Sequence, residues 1–310
     1  MAPKLESKID VPKVLAERMV NSFVEMGYLA VPELVCPDEI EELRRDAAKL
    51  ARGGYPNEGS ESLPAGLSDE EALQYILCIH QPHFVSPVMQ RYVKHQRICG
   101  ALSQLAAAHL PYWDGSVKCM QSMLFVKPAG FQGQAWHQDE IYIPTRDRSL
   151  IGAWIAMDDA TVENGCLWVL PGSHRTGYLY PQRNHNRPDE FDFSQESFGF
   201  DDSGEIPVEV KTGTVVFFNG YLLHRSRKNR GGDYRRVLVN HYCNAWSLLP
   251  WGLRDGEHPA NADRRCIVPV AGVDPYAWKG YEAPPQRFHL RMCKAVEERR
   301  AELETKQNEV

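Results

Sequence analysis

The stretch of sequence that decides the fold is LIGAWIAMDDATVENGCLWVLPGSH, residues 150–174. It holds two apolar runs, and the dipeptide Asn164-Gly165 lies between them. Asn-Gly is a strong signal for the two-residue turn of a β-hairpin. Short apolar runs bounded by turn residues are typical of strands. The stretch therefore predicts two strands that are joined by a tight turn.

Strand-like runs of the same kind lie on both sides of this stretch. They are VKCMQSMLFVKP (117–128), PVEVKTGTVVFFNGYLLH (207–224) and RRVLVNHYCNAW (235–246). Short strands with close turns and no helices between them favour an antiparallel sandwich or barrel. We therefore expect a mainly β core over residues 116–250.

The two ends of the chain show a different pattern. Residues 12–115 are mostly helical by the spacing of their apolar positions. Residues 251–310 form a Pro-rich extension and then a charged helix over 286–306, whose more apolar positions keep helical spacing. This helix either packs a narrow face on the body or forms a homodimer contact. We expect a single domain over residues 1–310.

Composition and charge exclude several classes of protein. The 310 residues are 43% hydrophobic and 25% charged, which is ordinary for a folded soluble protein. A net charge of −6 without blocks of Lys or Arg provides no surface for nucleic acid or for an anionic membrane. The longest clean apolar stretch, residues 150–157, is far shorter than a membrane span of about 20 residues.

The expected location of the chain is cytoplasmic. The first residues, MAPKLESKID, lack the apolar segment of a secretory signal. The eight cysteines include no CxxC pair for zinc or redox chemistry. We therefore expect buried free thiols, as in a reducing compartment.

Two candidate metal ligands follow the first strand-like run. The stretch QAWHQDEIYIP, residues 134–144, places His137 and Asp139 two positions apart. Alone, such a pair is typical of a solvated turn. His224 changes this interpretation, because two imidazoles and one carboxylate on adjacent strands can occupy one face of an octahedral metal. The other positions then stay open for ligands, as in non-haem Fe(II) oxygenases.

An arginine and a serine add a candidate anion-binding pair. Arg235 opens the strand-like run after His224, and its guanidinium suits a bidentate clamp on a carboxylate. Ser226 follows His224 by two residues, on the same strand face, and adds a hydroxyl donor. 2-Oxoglutarate requires such a pair beside a metal, since its keto-acid end chelates iron and its distal carboxylate needs a fixed cation.

The stretches 121–174 and 213–236 closely resemble the phytanoyl-CoA dioxygenase family, and the likeness extends over about residues 12–250. Its motifs are the His-x-Asp pair, the Asn-Gly turn, the LPGSH turn, and a distal histidine followed by a serine and an arginine. The resemblance implies a double-stranded β-helix, a cupin-like jelly roll, with helices packed against one face. It also implies Fe(II), 2-oxoglutarate and O₂ as reactants, with ascorbate as the in vitro reductant and succinate and CO₂ as by-products.

The resemblance implies a role for each of these polar side chains. His137, Asp139 and His224 match the iron ligands of the family. Arg235 and Ser226 match the pair that binds the distal carboxylate of 2-oxoglutarate.

Two apolar positions match residues that line the cosubstrate in relatives. They are Trp154 and Met123, and for both the alternative of an ordinary core residue stays open. A lysine that relatives place in their N-terminal helical region has no match in this sequence. In related halogenases a small residue replaces the metal carboxylate, whereas Asp139 is present here. The resemblance therefore favours hydroxylation or another oxidative transformation over halogenation.

The segment 175–206 is the expected lid over the substrate. Loops of this length in a compact domain are usually functional or disordered. It carries seven acidic residues and four phenylalanines, which are unusual in a disordered chain. We expect it to select a small or lipid-like organic substrate with an unactivated C–H bond. Its acidity disfavours a CoA ester unless the lid arginines compensate, namely Arg175, Arg183 and Arg187.

Two other functions are compatible with the same fold. A jelly-roll binding or regulatory protein would keep the pocket without turnover, but the loss of at least one polar site residue would then be expected. A metal-dependent isomerase or hydrolase on a cupin-like barrel would have no use for Arg235. His241, farther along the strand of Arg235, is a candidate substrate contact whose role the sequence leaves open.

Overall fold

The helices and strands are known for residues 8–56, 63, 66–248 and 266–308, which the computed structural model describes. The helices are α1 (Glu17–Met26), α2 (Pro37–Ala51), α3 (Asp69–Leu73), α4 (Pro87–Val93), α5 (Gln96–Leu105) and α6 (Lys294–Asn308). The strands are β1 (Tyr28–Val31), β2 (Cys78–His80), β3 (Val117–Lys127), β4 (Gln134–His137), β5 (Ile151–Ala156), β6 (Leu167–Val169), β7 (Gln182–Arg183), β8 (Glu196–Ser197), β9 (Ile206–Val208), β10 (Val215–Asn219), β11 (His224–Ser226), β12 (Arg235–Asn244), β13 (Val268–Ala271) and β14 (His289–Arg291).

Two antiparallel sheets form the body of the molecule. The larger has eight strands in the order β1-β10-β5-β12-β3-β2-β14, with β13 paired to β3. The smaller has the order β4-β11-β6-β9. Trp154 and Val239 of the larger sheet share one buried cluster with Leu167 and Val169 of the smaller. The predicted fold class, mainly β with flanking helices, is confirmed.

The helices cover the other face of the larger sheet. Successive side chains of a strand point to opposite faces. On β3, Leu124 belongs to the same buried cluster as Leu43 of α2 and Leu102 of α5. Its neighbour Met123 belongs to the cluster between the sheets. The larger sheet is thus buried on both faces, and its inner face meets the smaller sheet.

The turn at Asn164-Gly165 joins the two sheets and does not close a hairpin. β5, before the turn, pairs with β10 and β12, whereas β6, after it, pairs with β11 and β9. The Asn164 side chain accepts from the Thr161 backbone N–H and donates to the Asp159 carbonyl. The predicted hairpin is wrong, because turn chemistry is local whereas a strand's partner depends on which face must be buried.

Strands from outside residues 116–250 extend the larger sheet. β1 and β2 come from the part predicted to be mostly helical, and β13 and β14 come from the C-terminal extension. The helix predicted over 286–306 is wrong in its first part, since β14 pairs with β2 and α6 begins only at Lys294. This pairing satisfies backbone groups that an edge strand leaves open. Val296 of α6 is fully buried against the body, and the homodimer contact stays a prediction.

Two simpler expectations concern the thiols and the membrane. All eight cysteines are free thiols. Over the ranges that the structure describes, no helix combines the length and the apolar character needed to cross a bilayer.

Candidate active site

The pairing of β4 with β11 brings the predicted metal ligands together. His137 is the last residue of β4 and lies opposite His224, the first residue of β11. Asp139 follows at the start of a 3-10 turn. The two imidazole centroids are 4.0 Å apart, and all three side chains are buried. Strand register thus unites positions that are far apart in the sequence.

The ligand atoms of these side chains face one another. Oδ1 of Asp139 lies 3.6 Å from Nε2 of His137 and 3.7 Å from Nε2 of His224. In His137, Nδ1 lies 2.8 Å from the carbonyl oxygen of Ala135. In His224, Nδ1 lies 2.9 Å from the carbonyl oxygen of Leu222. Each Nδ1 therefore carries the proton and donates it, which leaves the Nε2 lone pairs facing the carboxylate.

The protonation states also suit a metal. Burial, together with the nearby His224, lowers the pKa of His137 to about 3, so this imidazole is neutral near pH 7. Burial alone would raise the pKa of Asp139, but the surrounding histidines, His224 first, lower it below its ordinary value. Within the described part of the chain, these are the three side chains whose ligand atoms lie close enough, within 4.8 Å, to hold one metal ion.

The three candidate metal ligands line a cavity of about 510 Å³ whose walls come from both sheets. Arg235, Val239 and His241 alternate along one face of β12, and all three line this cavity. His241 contacts Asp139. The inner face of β12 therefore runs from the metal ligands at one end to Arg235 at the other.

Arg235 is a buried cation without a counter-charge. It is 4% exposed, and burial lowers its pKa to about 10, so it stays charged near pH 7. Among the described residues no carboxylate lies within ion-pair distance of it, and its Nε has no hydrogen-bond partner. Its neighbour Arg236 faces the other way and binds Asp158 through Nε and Nη2. Because an unpaired buried charge is costly, the position of Arg235 favours an anionic ligand.

Ser226 and a lysine that the sequence analysis missed complete this end of the cavity. Oγ of Ser226 accepts from the Gln134 backbone N–H at 3.2 Å and from Nζ of Lys127 at 3.0 Å. Its hydroxyl proton is therefore free to be donated into the cavity, which Ser226 lines. Lys127 also donates to the Arg227 carbonyl at 2.8 Å. Lys127 ends the apolar strand β3 and lies opposite Arg235 of β12. The lysine at the end of an apolar run is the signal that the sequence offered for this residue.

The sequence pattern of the phytanoyl-CoA dioxygenase (PhyH) family matches residues 23–237, more than half of the chain. The chain belongs to this family. The resemblance that the motifs indicated is confirmed.

Curated relatives carry the name of the family. Phytanoyl-CoA dioxygenase 1 of Oryza sativa subsp. japonica is 34% identical over 179 residues, which are 56% of this chain and 60% of that protein. Phytanoyl-CoA dioxygenase domain-containing protein 1 of Danio rerio is 28% identical over 289 residues, which are 77% of this chain and 94% of that protein. The chain thus spans less than two thirds of the first relative and nearly all of the second.

Solved structures share the fold. EctD from S. alaskensis with bound Fe has a TM-score of 0.57 at 21% identity, over 80% of this chain and 84% of that one. EvdO2 from Micromonospora carbonacea var. aurantiaca complexed with 2-oxoglutarate has a TM-score of 0.56 at 21% identity, over 82% and 99% of the two chains. The non-heme monooxygenase ThoJ has a TM-score of 0.60 at 18% identity, over 94% and 96%. At these identities the likeness establishes the cupin-like fold.

In this phytanoyl-CoA dioxygenase family member, both predicted cosubstrate-lining residues reach the cavity. Trp154 and Met123 lie on β5 and β3, and each is opposite Val239 of β12. Both also belong to the buried cluster between the sheets. Each of these two side chains therefore packs in the core and also lines the cavity.

The segment 175–206, the expected lid, and the C-terminal extension line the other end of the cavity. Within residues 175–206, β7 pairs with β8, and residues 193–195 line the cavity. Arg291 and Met292 of the extension line it as well. Nη2 of Arg291 lies 2.7 and 2.9 Å from the two oxygens of the buried Asp192. This ion pair ties the lid to the extension.

The acidic side chains of the lid are largely paired with arginines. The ion pairs are Glu190 with Arg230, Asp192 with Arg291, Glu196 with Arg183 and Arg187, and Glu205 with Arg225 and Arg227. Phe191, one of the four phenylalanines, is 2% exposed. The segment is thus held on the barrel by charge and by apolar packing.

Gly133, directly before β4, sets how closely the two site-bearing strands approach. A Cβ built on Gly133 would lie 1.9 Å from the carbonyl oxygen of Ser226. Any other residue at this position must push β4 away from β11, and these strands carry His137 and His224. The metal ligands therefore depend on a glycine here.

We expect Gly133→Ala to destabilise the fold by about 1–3 kcal/mol, as overpacking typically does, and to lower metal retention because β4 shifts against β11. Thermal unfolding and the metal content of the purified variant measure the two effects. Gly232→Ala is the matched control, since a Cβ there meets nothing within 4 Å. If the two variants behaved alike, the close approach of these strands would not matter for the site.

Proposed function

We propose that the chain is an Fe(II)- and 2-oxoglutarate-dependent dioxygenase that hydroxylates an unactivated C–H bond, with release of succinate and CO₂. One observation carries this proposal. Arg235 is buried in the same cavity as the three candidate metal ligands, and no carboxylate of the described residues forms an ion pair with it. 2-Oxoglutarate offers a distal carboxylate for the guanidinium and a keto-acid end for a metal.

The three candidate ligands fit a ferrous ion. They offer two imidazole nitrogens with free lone pairs and one charged carboxylate, all of them buried. Two histidines and one carboxylate with open positions form the donor set of non-haem Fe(II) oxygenases. His137, Asp139 and His224 would hold the ion, which supplies the activation of O₂ when it is bound. Ascorbate would keep the ion reduced in vitro.

Arg235 and Ser226 would hold the distal carboxylate of 2-oxoglutarate. The guanidinium has an unpartnered Nε, and the Ser226 hydroxyl has a proton to donate. Charge-assisted hydrogen bonds of this kind are strong where water is excluded. Trp154 and Met123 would pack beside the carbon chain, since both line the cavity.

The end of the cavity under the lid would hold the substrate. Its apolar and aromatic lining suits a small or lipid-like organic molecule and keeps water from the reaction. The residues concerned are Tyr142, Ile143, Phe193 and Met292.

The alternative functions account less well for these contacts. A non-catalytic jelly-roll protein has no reason to retain a complete triad next to a buried, unpaired arginine. A metal-dependent isomerase would bear the cost of burying Arg235 without a ligand for it.

We expect the protein to convert 2-oxoglutarate to succinate when Fe(II) and ascorbate are supplied. The conversion should be slow without a substrate and faster when a substrate is present. His224→Ala removes one metal ligand and should release no succinate above background. Chromatographic quantification of succinate measures both. An absence of succinate from the parent with every candidate substrate would favour the non-catalytic alternative.

Removal of the Arg235 side chain should weaken 2-oxoglutarate binding and spare iron binding. Truncating one partner of a desolvated charge pair typically costs about 2–5 kcal/mol, which is roughly a 30- to 3,000-fold loss of affinity. Anaerobic titration of Arg235→Ala with 2-oxoglutarate measures this loss. The matched control is Arg236→Gln, which changes a guanidinium outside the cavity and should keep the parent's affinity. The assignment fails if Arg235→Ala also keeps it.

We expect the lid to determine how much substrate is oxidised for each 2-oxoglutarate that is consumed. Phe193 lines the cavity yet is 59% exposed, so Phe193→Ala should fold normally. We expect it to keep substrate-free succinate formation and to lower the product formed per succinate. Tyr112→Ala is the control, because Tyr112 is 90% exposed and lies outside the cavity. A parallel loss of both activities in Phe193→Ala would assign the lid to the scaffold.

A further inference from the structure

The two oxygens of the Asp139 carboxylate have different partners. Oδ1 faces Nε2 of His137 and of His224, at 3.6 and 3.7 Å. Oδ2 faces the other way and lies 3.0 Å from Nε2 of His241. His241 is 3% exposed and lines the same cavity. One oxygen is therefore directed to the metal position, and the other is bound by a third histidine.

The hydrogen bond fixes the tautomer of His241. A carboxylate only accepts, so Nε2 of His241 carries the proton and donates it to Oδ2. Nδ1 of His241 is buried and has no hydrogen-bond partner among the described residues. Nε2 of His241 therefore offers a donor to the second oxygen of Asp139.

The backbone of β12 aims His241 at this carboxylate. The pairing of β12 with β3 changes register between His241 and Tyr242. The extra residue is Met120 of β3, so β12 keeps its regular alternation, and His241 lies on the same face as Arg235 and Val239. The neighbouring Tyr242 points to the helical side of the sheet, where its hydroxyl donates to the Val93 carbonyl at 3.0 Å. Both residues around the bulge are therefore held, one on each face of the sheet.

We propose that His241 is a positioning residue that keeps Asp139 a one-oxygen ligand of the metal. This inference rests on the proposed function, because it assigns the metal to the side of Oδ1. By holding Oδ2, His241 fixes the carboxylate with Oδ1 toward the ion and with Oδ2 away from the positions that 2-oxoglutarate or O₂ needs, so losing this orientation lowers metal affinity. Outer contacts of this kind typically contribute about 10- to 100-fold to metal affinity or activity.

The test separates the hydrogen bond from the volume of the side chain. His241→Leu keeps an apolar body and removes the donor, whereas His241→Gln places an amide N–H donor near the position of Nε2. The probe is Co²⁺, titrated by calorimetry into the metal-free protein, and thermal unfolding shows that each variant folds. We expect His241→Leu to lose about 10- to 100-fold in Co²⁺ affinity and His241→Gln to stay within a few-fold of the parent.

A second buried histidine supplies the control. His83 is 4% exposed and does not line the cavity, so His83→Leu should bind Co²⁺ like the parent. Parent-like affinity in His241→Leu would overturn the proposal, as would an equal loss in the Leu and Gln variants, which would indicate packing. If the parent itself bound no Co²⁺, the proposed metal site would fail, and this outcome is distinct from either of the other two.

Discussion

The site depends on one constraint, the buried guanidinium of Arg235. No carboxylate of the described residues lies within ion-pair distance of this group. Burial of an unpaired charge costs several kcal/mol, and arginines are almost never fully buried unless they are paired. Arg235 is 4% exposed, and the nearby Lys127 supplies no negative charge. β12 carries Arg235 at one end of the cavity, and its inner face leads to the metal ligands at the other. The arrangement is explained by a ligand that is anionic at one end and chelating at the other.

Much of the site was predictable because it follows strand periodicity. His137 ends one strand and Asp139 opens the 3-10 turn just after it, while His224 and Ser226 share a face of another strand. Alternation along a strand also assigns Arg235 and its neighbour to opposite faces, and the structure places them so. Positions of this kind are determined by spacing within a single strand, which a sequence displays directly.

The features that escaped prediction depend on pairing between distant strands. The turn at Asn164-Gly165 carries a local hairpin signal. The strands on its two sides do not pair, however, because β5 belongs to the larger sheet and β6 to the smaller. Residues 289–291 lie in a helix-like pattern, but pairing with β2 makes them a strand. Lys127 and His241 gained their contacts through the packing of the larger sheet against β11 and the 3-10 turn. No single segment of sequence contains this information.

Part of the cavity lining lies outside the stretch that matches the family. The candidate metal ligands, Ser226, Arg235 and the segment 175–206 all lie within residues 23–237, which match the family. Arg291 and Met292 of the C-terminal extension lie beyond that stretch and line the same cavity. The segment 175–206 and the extension thus share one wall of the cavity. The Asp192–Arg291 ion pair joins these two segments.

The central claim is that Arg235 pairs with the distal carboxylate of the cosubstrate. Four anaerobic titrations test it most directly, with the Fe(II)-loaded parent and Arg235→Ala each receiving 2-oxoglutarate and 2-oxobutyrate, which lacks the distal carboxylate. We expect the parent to prefer 2-oxoglutarate by about 30-fold or more, and the variant to bind both keto acids about equally. The same preference in the parent and in the variant would contradict the claim.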